Sequence, residues 1–400
     1  MKITEIKTFI AHGRYVTTDL GAAAFIFISF YYFWKFLEKP IRLHFGLATL
    51  SFALAQLSKF SAILLIPVFL LLVLLKRRSL KTFVLMLFFG FLVVVFYYQL
   101  HLINMPLDVQ HRLIEVSMTD ESGAYTQYVS LGRGLLHGLT DVSLLRPFAQ
   151  YLLGFLMAGG HAIGGHVSYF LGEVGEHYWH YYLVLYLIKE PLASLTLFFT
   201  AIFLAIRRRG RPQSLVVAIV AYCLLHLAVF SSYRLQLGIR HILPLFPFIY
   251  MLTSGQVANI HSRALKVTRF LLVAWLAASS FLVFPSYLAY YNELVGGPQN
   301  GHLYSVDSNT DWGQDLKRLA QFVRENNIDQ IKVDYFGGGD PVYYLGNKYI
   351  CWDFSRGPTD GWFAIGASPY QWYRDGYSWL GEYGPVAQIG YSIFVYNISK

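Results

Sequence analysis

Eight apolar runs separated by short polar loops dominate the chain and leave little room for a water-soluble fold. They cover residues 20–37, 43–58, 60–76, 82–99, 182–206, 213–231, 241–258 and 269–287. A helix needs about 20 apolar residues to cross the hydrocarbon of a bilayer, with a range of roughly 17–25. Each run is therefore predicted to be a transmembrane helix, the second and third being short and nearly continuous. Composition agrees. Of 400 residues, 55% are hydrophobic and only 14% charged, with mean hydropathy +0.43, against roughly 25% charged in an average soluble domain. The formal charge of +9 would suit nucleic acid, but the basic residues sit in short clusters between apolar runs. That distribution excludes a nucleic-acid partner and points to membrane lipids. The start, MKITEIKTFIAHGRYVTTDL, has no signal-peptide pattern. Cys223 lies in an apolar run and Cys351 in the polar C-terminal third, so no disulfide framework is expected.

Basic residues also predict orientation. Lys35, Lys39 and Arg42 follow the first run, Lys76, Arg77, Arg78 and Lys81 the third, Arg207, Arg208, Arg209 and Arg211 the fifth, and Arg263, Lys266 and Arg269 the seventh. Every second short loop is basic, which places those loops on the cytoplasmic side. Asp19, the segment 100–181, the loop 232–240 and everything from about 288 then face outward. The segment 100–181 is too long for a simple connector; its pieces 131–139 and 147–158 suit the interface, and HAIGGHVSYFLGEVGEHYWHYY reads as an irregular loop. From about 288 the pattern changes. GQDLKRLAQFVREN (313–326) is an amphipathic helix, with 307–309 as its cap region. IKVDYF (331–336), KYICWDF (348–354), GWFAIGA (361–367) and YSIFVYNI (391–398) are strand-like. The expected architecture is a polytopic α-helical membrane region over 1–287 and a small extracytoplasmic α/β domain over 288–400.

Polar groups at membrane depth or at helix mouths are costly, so each is a candidate for function. His12, Arg14 and Asp19 stand where the first run meets the outer surface. The acid can act as a base or hold a metal, or Thr17, Thr18 or Asp19 simply caps the helix. His161, His166, Glu173, Glu176, His177 and His180 form a second group. Glu173 and Glu176, like His177 and His180, are three apart and share a face if helical. Imidazole plus carboxylate suits a divalent cation, though the spacing matches no zinc signature; polar residues facing headgroups are the other reading. Lys59, Lys189, Arg234, Arg240 and His241 lie near outer helix ends. A phosphate or pyrophosphate ligand accounts for cations there, as does snorkelling to headgroups. Lys189-Glu190-Pro191 interrupts an otherwise apolar run. Asp307, Asp311 and Asp315 place three carboxylates within DSNTDWGQD, either for a cation or sugar hydroxyls or as a capped turn. No P-loop, dinucleotide fingerprint, nucleophile elbow or HExxH is present in the sequence.

Several segments together resemble the bacterial family 39 glycosyltransferases, phospholipid-carrier-dependent enzymes related to protein O-mannosyltransferases and to the lipid A aminoarabinose transferase. They are AHGRYVTTDLGAAAF, LAQLSKFSAILL, LGEVGEHYWHYYLVLYLIKEPLASL, GIRHILPLFPF, YYNELVGGPQNG and DSNTDWGQDLKRLA. The resemblance runs from about residue 11 to the end. It implies a C-type membrane glycosyltransferase fold in the bacterial plasma membrane. Such enzymes transfer a sugar, typically with inversion, from a polyprenyl-phosphate donor to a lipid, protein or glycan acceptor on the outer side. A carboxylate serves as base, and some members use a divalent metal cation. On that likeness Asp19 matches the acid of the second outer loop. Glu173 and His177 match polar positions of the long outer loop, and Lys59, Lys189, Arg240 and His241 are candidates to hold the donor phosphate. The family also has earlier spans and a first outer loop with its principal acid. This chain is therefore expected to be a partial, N-terminally truncated member. A non-catalytic scaffold or pseudoenzyme, and a lipid or sugar transporter with broken helices, are the competing expectations.

Overall fold

The computed structural model describes residues 17–119, 126–207, 210, 212–258 and 262–399. His12 and Arg14 lie outside the described residues. The chain forms two compact units, the first from Thr17–Gly165 with Gly210–Val229, the second including His166–Arg209 and Phe230–Lys400.

The first unit begins with α1 (Thr18–Glu38) and α2 (Arg42–Ser58), which pack closely against each other. A short 3₁₀ segment (Phe60–Leu64) leads into α3 (Leu65–Leu75), followed by α4 (Leu80–Leu102). Close approach is achieved with small and flat residues. Phe33 stacks on Phe69 at 4.1 Å between centroids, and a Cβ on Gly90 of α4 would come within 2.7 Å of the Phe52 ring of α2. The opposite side of α4 is bare. Val84, Phe88, Leu92 and Phe96 are exposed and recur every fourth residue, so they form one apolar stripe along the helix. A helix that is apolar all round has lipid as its natural solvent. The segment after α4 is ordered as α5 (Leu107–Ser117), α6 (Thr126–Asp141) and α7 (Arg146–Gly164). Leu136, Ala149 and Leu153 are buried between α6 and α7, with Ile114 from α5.

The second unit opens with a hairpin, not the irregular or helical stretch that its glycines and histidines suggest. Strand β1 (Ser168–Phe170) pairs antiparallel with β2 (Glu173–Gly175). The two turn residues, Leu171 and Gly172, both have positive φ, as a two-residue I′ connection requires. Helix α8 (Tyr181–Lys189) then breaks at Glu190-Pro191 and α9 (Leu192–Arg207) departs at 117°. The single span expected at 182–206 is therefore two helices. Proline lacks the N–H that would continue the ladder, and the residue before it is forced out of the helical region; Glu190 sits at φ −80°, ψ 139°. Helix α10 (Ser214–Ser232) comes next in the chain, most of it belonging to the first unit; the second unit resumes with a 3₁₀ segment (Ile239–Leu245) containing Pro244, α11 (Phe246–Val257) and α12 (Arg263–Leu282). By length and composition, four described helices can cross a membrane (α1, α4, α10 and α12), or five if α8 and α9 count as one bent span. The eight expected spans are reduced because 3₁₀ turns and prolines cut the runs 60–76 and 241–258 into shorter pieces, and α2 fills the run 43–58 with only 17 residues.

The C-terminal region carries a five-stranded sheet. Its strands are β3 (Ile331–Asp334), β4 (Tyr349–Cys351), β5 (Gly361–Gly366), β6 (Ala387–Ile389) and β7 (Ile393–Ile398), in the order β4-β3-β5-β7-β6. Strands β3, β4 and β5 run parallel, while β7 is antiparallel to β5 and β6. Alternation assigns the two faces. Ala364, Ile393 and Val395 join Leu316, Leu319, Ala320 and Val323 of α13 (Leu316–Glu325) on one face. Phe363, Ile365, Phe394 and Tyr396 bury the other face against Tyr169, Val306 and Tyr377. The helix and strands expected from the polar C-terminal third are therefore present. Leu319 is fully buried, so Leu319→Ala is expected to cost about 2–5 kcal/mol, whereas Lys317→Ala on the exposed face should stay within about 0.5 kcal/mol. Chemical unfolding of the detergent-solubilised full chain measures both.

Candidate functional site

Pro191 leaves the C-terminal carbonyls of α8 without helical partners, and buried carbonyls need donors. Asn292 supplies them. Its backbone N–H donates to Ile188 O at 2.8 Å, and its Nδ2 donates to Leu187 O and Glu190 O, both at 2.7 Å. Lys189, the last residue of α8, turns the other way. Its Nζ donates to Leu288 O at 3.0 Å, Tyr290 O at 3.0 Å and Asn309 O at 2.6 Å, and lies 4.0 Å from the centre of the Tyr291 ring. An ammonium has three protons, and all three are used here. Lys189 is thus a structural residue, its Nζ committed to backbone carbonyls and not to the donor phosphate expected of it. Glu190 accepts from the Tyr250 hydroxyl at 2.8 Å.

The same junction holds the DSNTDWGQD segment, whose Ser308, Asn309, Thr310, Asp311 and Asp315 are almost wholly buried. Tyr291 O–H meets Ser305 Oγ at 2.6 Å and Thr310 Oγ1 at 2.9 Å. Asn309 Oδ1 accepts from Ile239 N–H at 2.9 Å, and its Nδ2 donates to Tyr181 Oη at 2.9 Å. Ser308 Oγ donates to Leu237 O. Gly238, at φ +139°, has to be glycine, because a Cβ there would come within 2.4 Å of Ser308 Oγ.

Three buried acids in this segment have three environments. Asp307 adopts φ +57°, which a short polar side chain tolerates. Burial pushes its carboxyl above the ordinary value, against the Ser308 amide and the positive charges of Arg240 and His166. Asp315 is also raised by burial, opposed chiefly by Ser392; its Oδ1 pairs with Arg318 at 2.7 Å and its Oδ2 accepts from Ser392 Oγ at 2.7 Å. Asp311 is the extreme case. Its Oδ1 accepts from Gly313 N–H at 3.0 Å, while Oδ2 lies against Gly366. Burial pushes it to about 8, with the charges of Asp315 and Asp307 adding and the Gly313 and Ser368 amides pulling the other way. Asp311 is therefore a protonated acid at neutral pH.

The remaining candidates separate. In the first unit, Asp19 lies in the first turn of α1 and is 2% exposed. It is ion-paired with Lys59, which follows the C-terminal turn of α2. Thr17 holds the N-cap position but makes no capping bond, and Asp19 is inside the helix, so the capping reading is replaced by an ion pair. Each charge also sits at the helix end whose dipole favours it. In the second unit, Arg240 lies 4.8 Å from the centre of the Trp312 ring, with its charge acting on Asp307. His241 is buried beside Tyr182 and Phe230. Arg234 meets Glu176 at 3.4 Å on the exposed surface. Glu173 is exposed on β2, and His177 Nε2 is 2.9 Å from Ser231 O. Among the described residues, no three His, Cys, Asp or Glu side chains converge as a metal site would need. Sequence reasoning missed Asn292 and Tyr291, which hold the junction; nothing local to YYNELVGG announces partners so far away in the chain.

No family model, no curated protein and no solved structure matches the chain.

Asp311 yields a pH prediction. Its folded value of about 8, against 3.8 ordinarily, means that the unfolded chain releases this proton first. Stability contributed by the group is therefore complete below about pH 4 and falls as pH rises towards 8. Asp311→Asn keeps the acceptor for Gly313 N–H and removes the titration. The variant is expected to match wild type near pH 4 and to exceed it at pH 8 in unfolding free energy. A parallel pH dependence in both proteins would contradict the assignment.

Proposed function

We propose that this chain is a membrane-embedded glycosyltransferase, transferring a sugar from a polyprenyl-phosphate donor to an acceptor hydroxyl at the outer face of the bacterial plasma membrane. The observation that carries the reading is the Asp19–Lys59 pair at the mouth of a helix long and apolar enough to span the bilayer. Charges withdrawn from water in such a place are expensive and are kept for chemistry by default. The resemblance of AHGRYVTTDLGAAAF and DSNTDWGQDLKRLA to family 39 glycosyltransferases supports the same reading. In the proposed orientation the basic loops are cytoplasmic, and Asp19 and the C-terminal α/β region face outward.

The chemistry follows from the pair. Asp19 takes the proton of the acceptor hydroxyl as its oxygen bonds to the anomeric carbon. The bond from that carbon to the phosphate oxygen breaks, and polyprenyl phosphate leaves with the electron pair. Attack opposite the leaving group inverts the centre. Lys59 pairs with Asp19 until the donor arrives, and then offers its ammonium to the phosphate, which loosens its grip on the base. Among the described residues Glu173 and His177 are not joined by a third His, Cys, Asp or Glu as a metal site would need, so no step is routed through a metal. A transporter built on the α8–α9 break is disfavoured, because Asn292 already occupies the carbonyls that a transported ion would use.

The test is transfer of radiolabelled sugar from a panel of polyprenyl-phosphate hexoses and pentoses by the full chain in nanodiscs. Asp19→Asn is expected to lower kcat by about 10²–10⁴-fold, the usual worth of a positioned base, and Lys59→Ala to raise KM for the donor. Equal turnover by Asp19→Asn would remove Asp19 from the reaction. Wild type that transfers none of the sugars would leave the scaffold reading in its place.

A further inference from the structure

Outside the site above, α5 and α6 carry a chain of four titratable side chains. Asp141 Oδ1 is 3.0 Å from His111 Nε2; His111 Nδ1 is 2.5 Å from His137 Nδ1; His137 Nε2 is 2.7 Å from Glu115 Oε1. Arg133 closes the end, with Nη1 3.0 Å from Glu115 Oε2, and its Nε donates to Met118 O at 2.8 Å, so this side chain also ties α6 to the end of α5. The two imidazole planes are 19° from parallel and their centroids 4.7 Å apart. That separation is the Nδ1–Nδ1 distance plus the two ring radii, so the rings meet edge to edge and their Nδ1 lone-pair directions point at each other.

Proton counting decides what holds this arrangement. Three contacts need three protons, and the two carboxylates supply none when ionised. Two neutral imidazoles carry only one N–H each. With both protons facing the carboxylates, two bare Nδ1 lone pairs would confront each other at 2.5 Å. With one proton between the rings, a bare Nε2 would face a carboxylate. Only one imidazole and one imidazolium satisfy all three contacts. The charges then balance, Arg133 and the imidazolium against Glu115 and Asp141. The Glu115 carboxyl is held below its ordinary range, first by the hydrogen bond from His137 and then by Arg133. A metal between the rings does not fit the distance, since two Zn–N bonds of about 2.0–2.1 Å at a tetrahedral angle set their nitrogens more than about 3 Å apart.

We infer that a single proton shared by His111 and His137 clasps α5 to α6 at this point, beside the Arg133 bridges to Met118 O and Glu115, so that the spacing of the two helices around the histidines depends on pH. The groups facing the clasp are Glu115 from α5, and Arg133 and Asp141 from α6. From α7, packed on α6, Arg146 is turned away onto Gln110 Oε1 and Met105 O, both at 2.9 Å, and His161 lines the cavity beyond. Loss of the third proton leaves one contact unpaired, so the clasp is closed at low pH and opens as pH rises through the imidazole range. Ser117–Thr119 at the end of α5 and Tyr128 and Val129 of α6 form, with Phe155–Gly165, the wall of a cavity of about 1010 Å³.

The test is dipolar broadening between nitroxides on the full chain in nanodiscs. The labels go on Arg112→Cys and Gly138→Cys, exposed neighbours of the two histidines, in a Cys223→Ser, Cys351→Ser background. Broadening is expected at about pH 5.5 and its loss at about pH 8.5. Adding His137→Gln is expected to abolish the pH difference. Unchanged broadening across this range, or the same change in the His137→Gln protein, would overturn the clasp. Restoration of broadening by zinc at the higher pH would show that a metal and not a proton joins the rings, which also overturns it.

Discussion

The Lys189 ammonium, held by the carbonyls of Leu288, Tyr290 and Asn309, is the contact on which the second unit depends. It exists because Pro191 stops α8 among apolar side chains, where released carbonyls and a lysine cannot find water. Asn292 takes the carbonyls and the 288–309 segment takes the cation. Once that segment is fixed, Asn309 fixes Ile239, and Ser308 fixes the turn at Gly238. Val306 then enters the sheet core. A polar junction of this kind is unforgiving: fully satisfied it rigidifies, and with one partner missing it leaves buried groups unpaired.

The two buried acids singled out by the structure have opposite character. Asp19 is paired with a cation and kept at the N-terminal end of α1, an arrangement suited to an ionised carboxylate. Asp311 has no cation beside it and is neutralised by burial. This contrast makes Asp19 the candidate base and assigns Asp311 to the scaffold around the junction, although both lie in segments that carry the family resemblance.

Much of the fold is legible in the chain because its signals are local. The spacing of Leu316, Leu319, Ala320 and Val323 announces α13, and the alternation in GWFAIG and YSIFVYNI announces β5 and β7. Strand β6 is missed, since three half-buried residues offer no pattern. Lys189-Glu190-Pro191 marks a break, but its 117° bend is set by partners about a hundred positions away. The candidate site is legible in residue type and not in role. Lys59, Lys189, Arg234 and Arg240 all look like phosphate ligands in sequence. Folding gives them an aspartate, three carbonyls, a surface glutamate and a tryptophan ring in turn. His111 and His137 stand 26 apart, a spacing that no local rule connects.

The α8 break and the 288–309 segment form one cooperative junction. A double-mutant cycle with Lys189→Met and Asn292→Ala, read as unfolding free energy of the solubilised full chain, tests it most directly. The junction predicts a coupling energy of about 1–3 kcal/mol, because either change already frees the segment that the other residue holds. Effects that add to within about 0.5 kcal/mol would show two independent contacts and contradict the account.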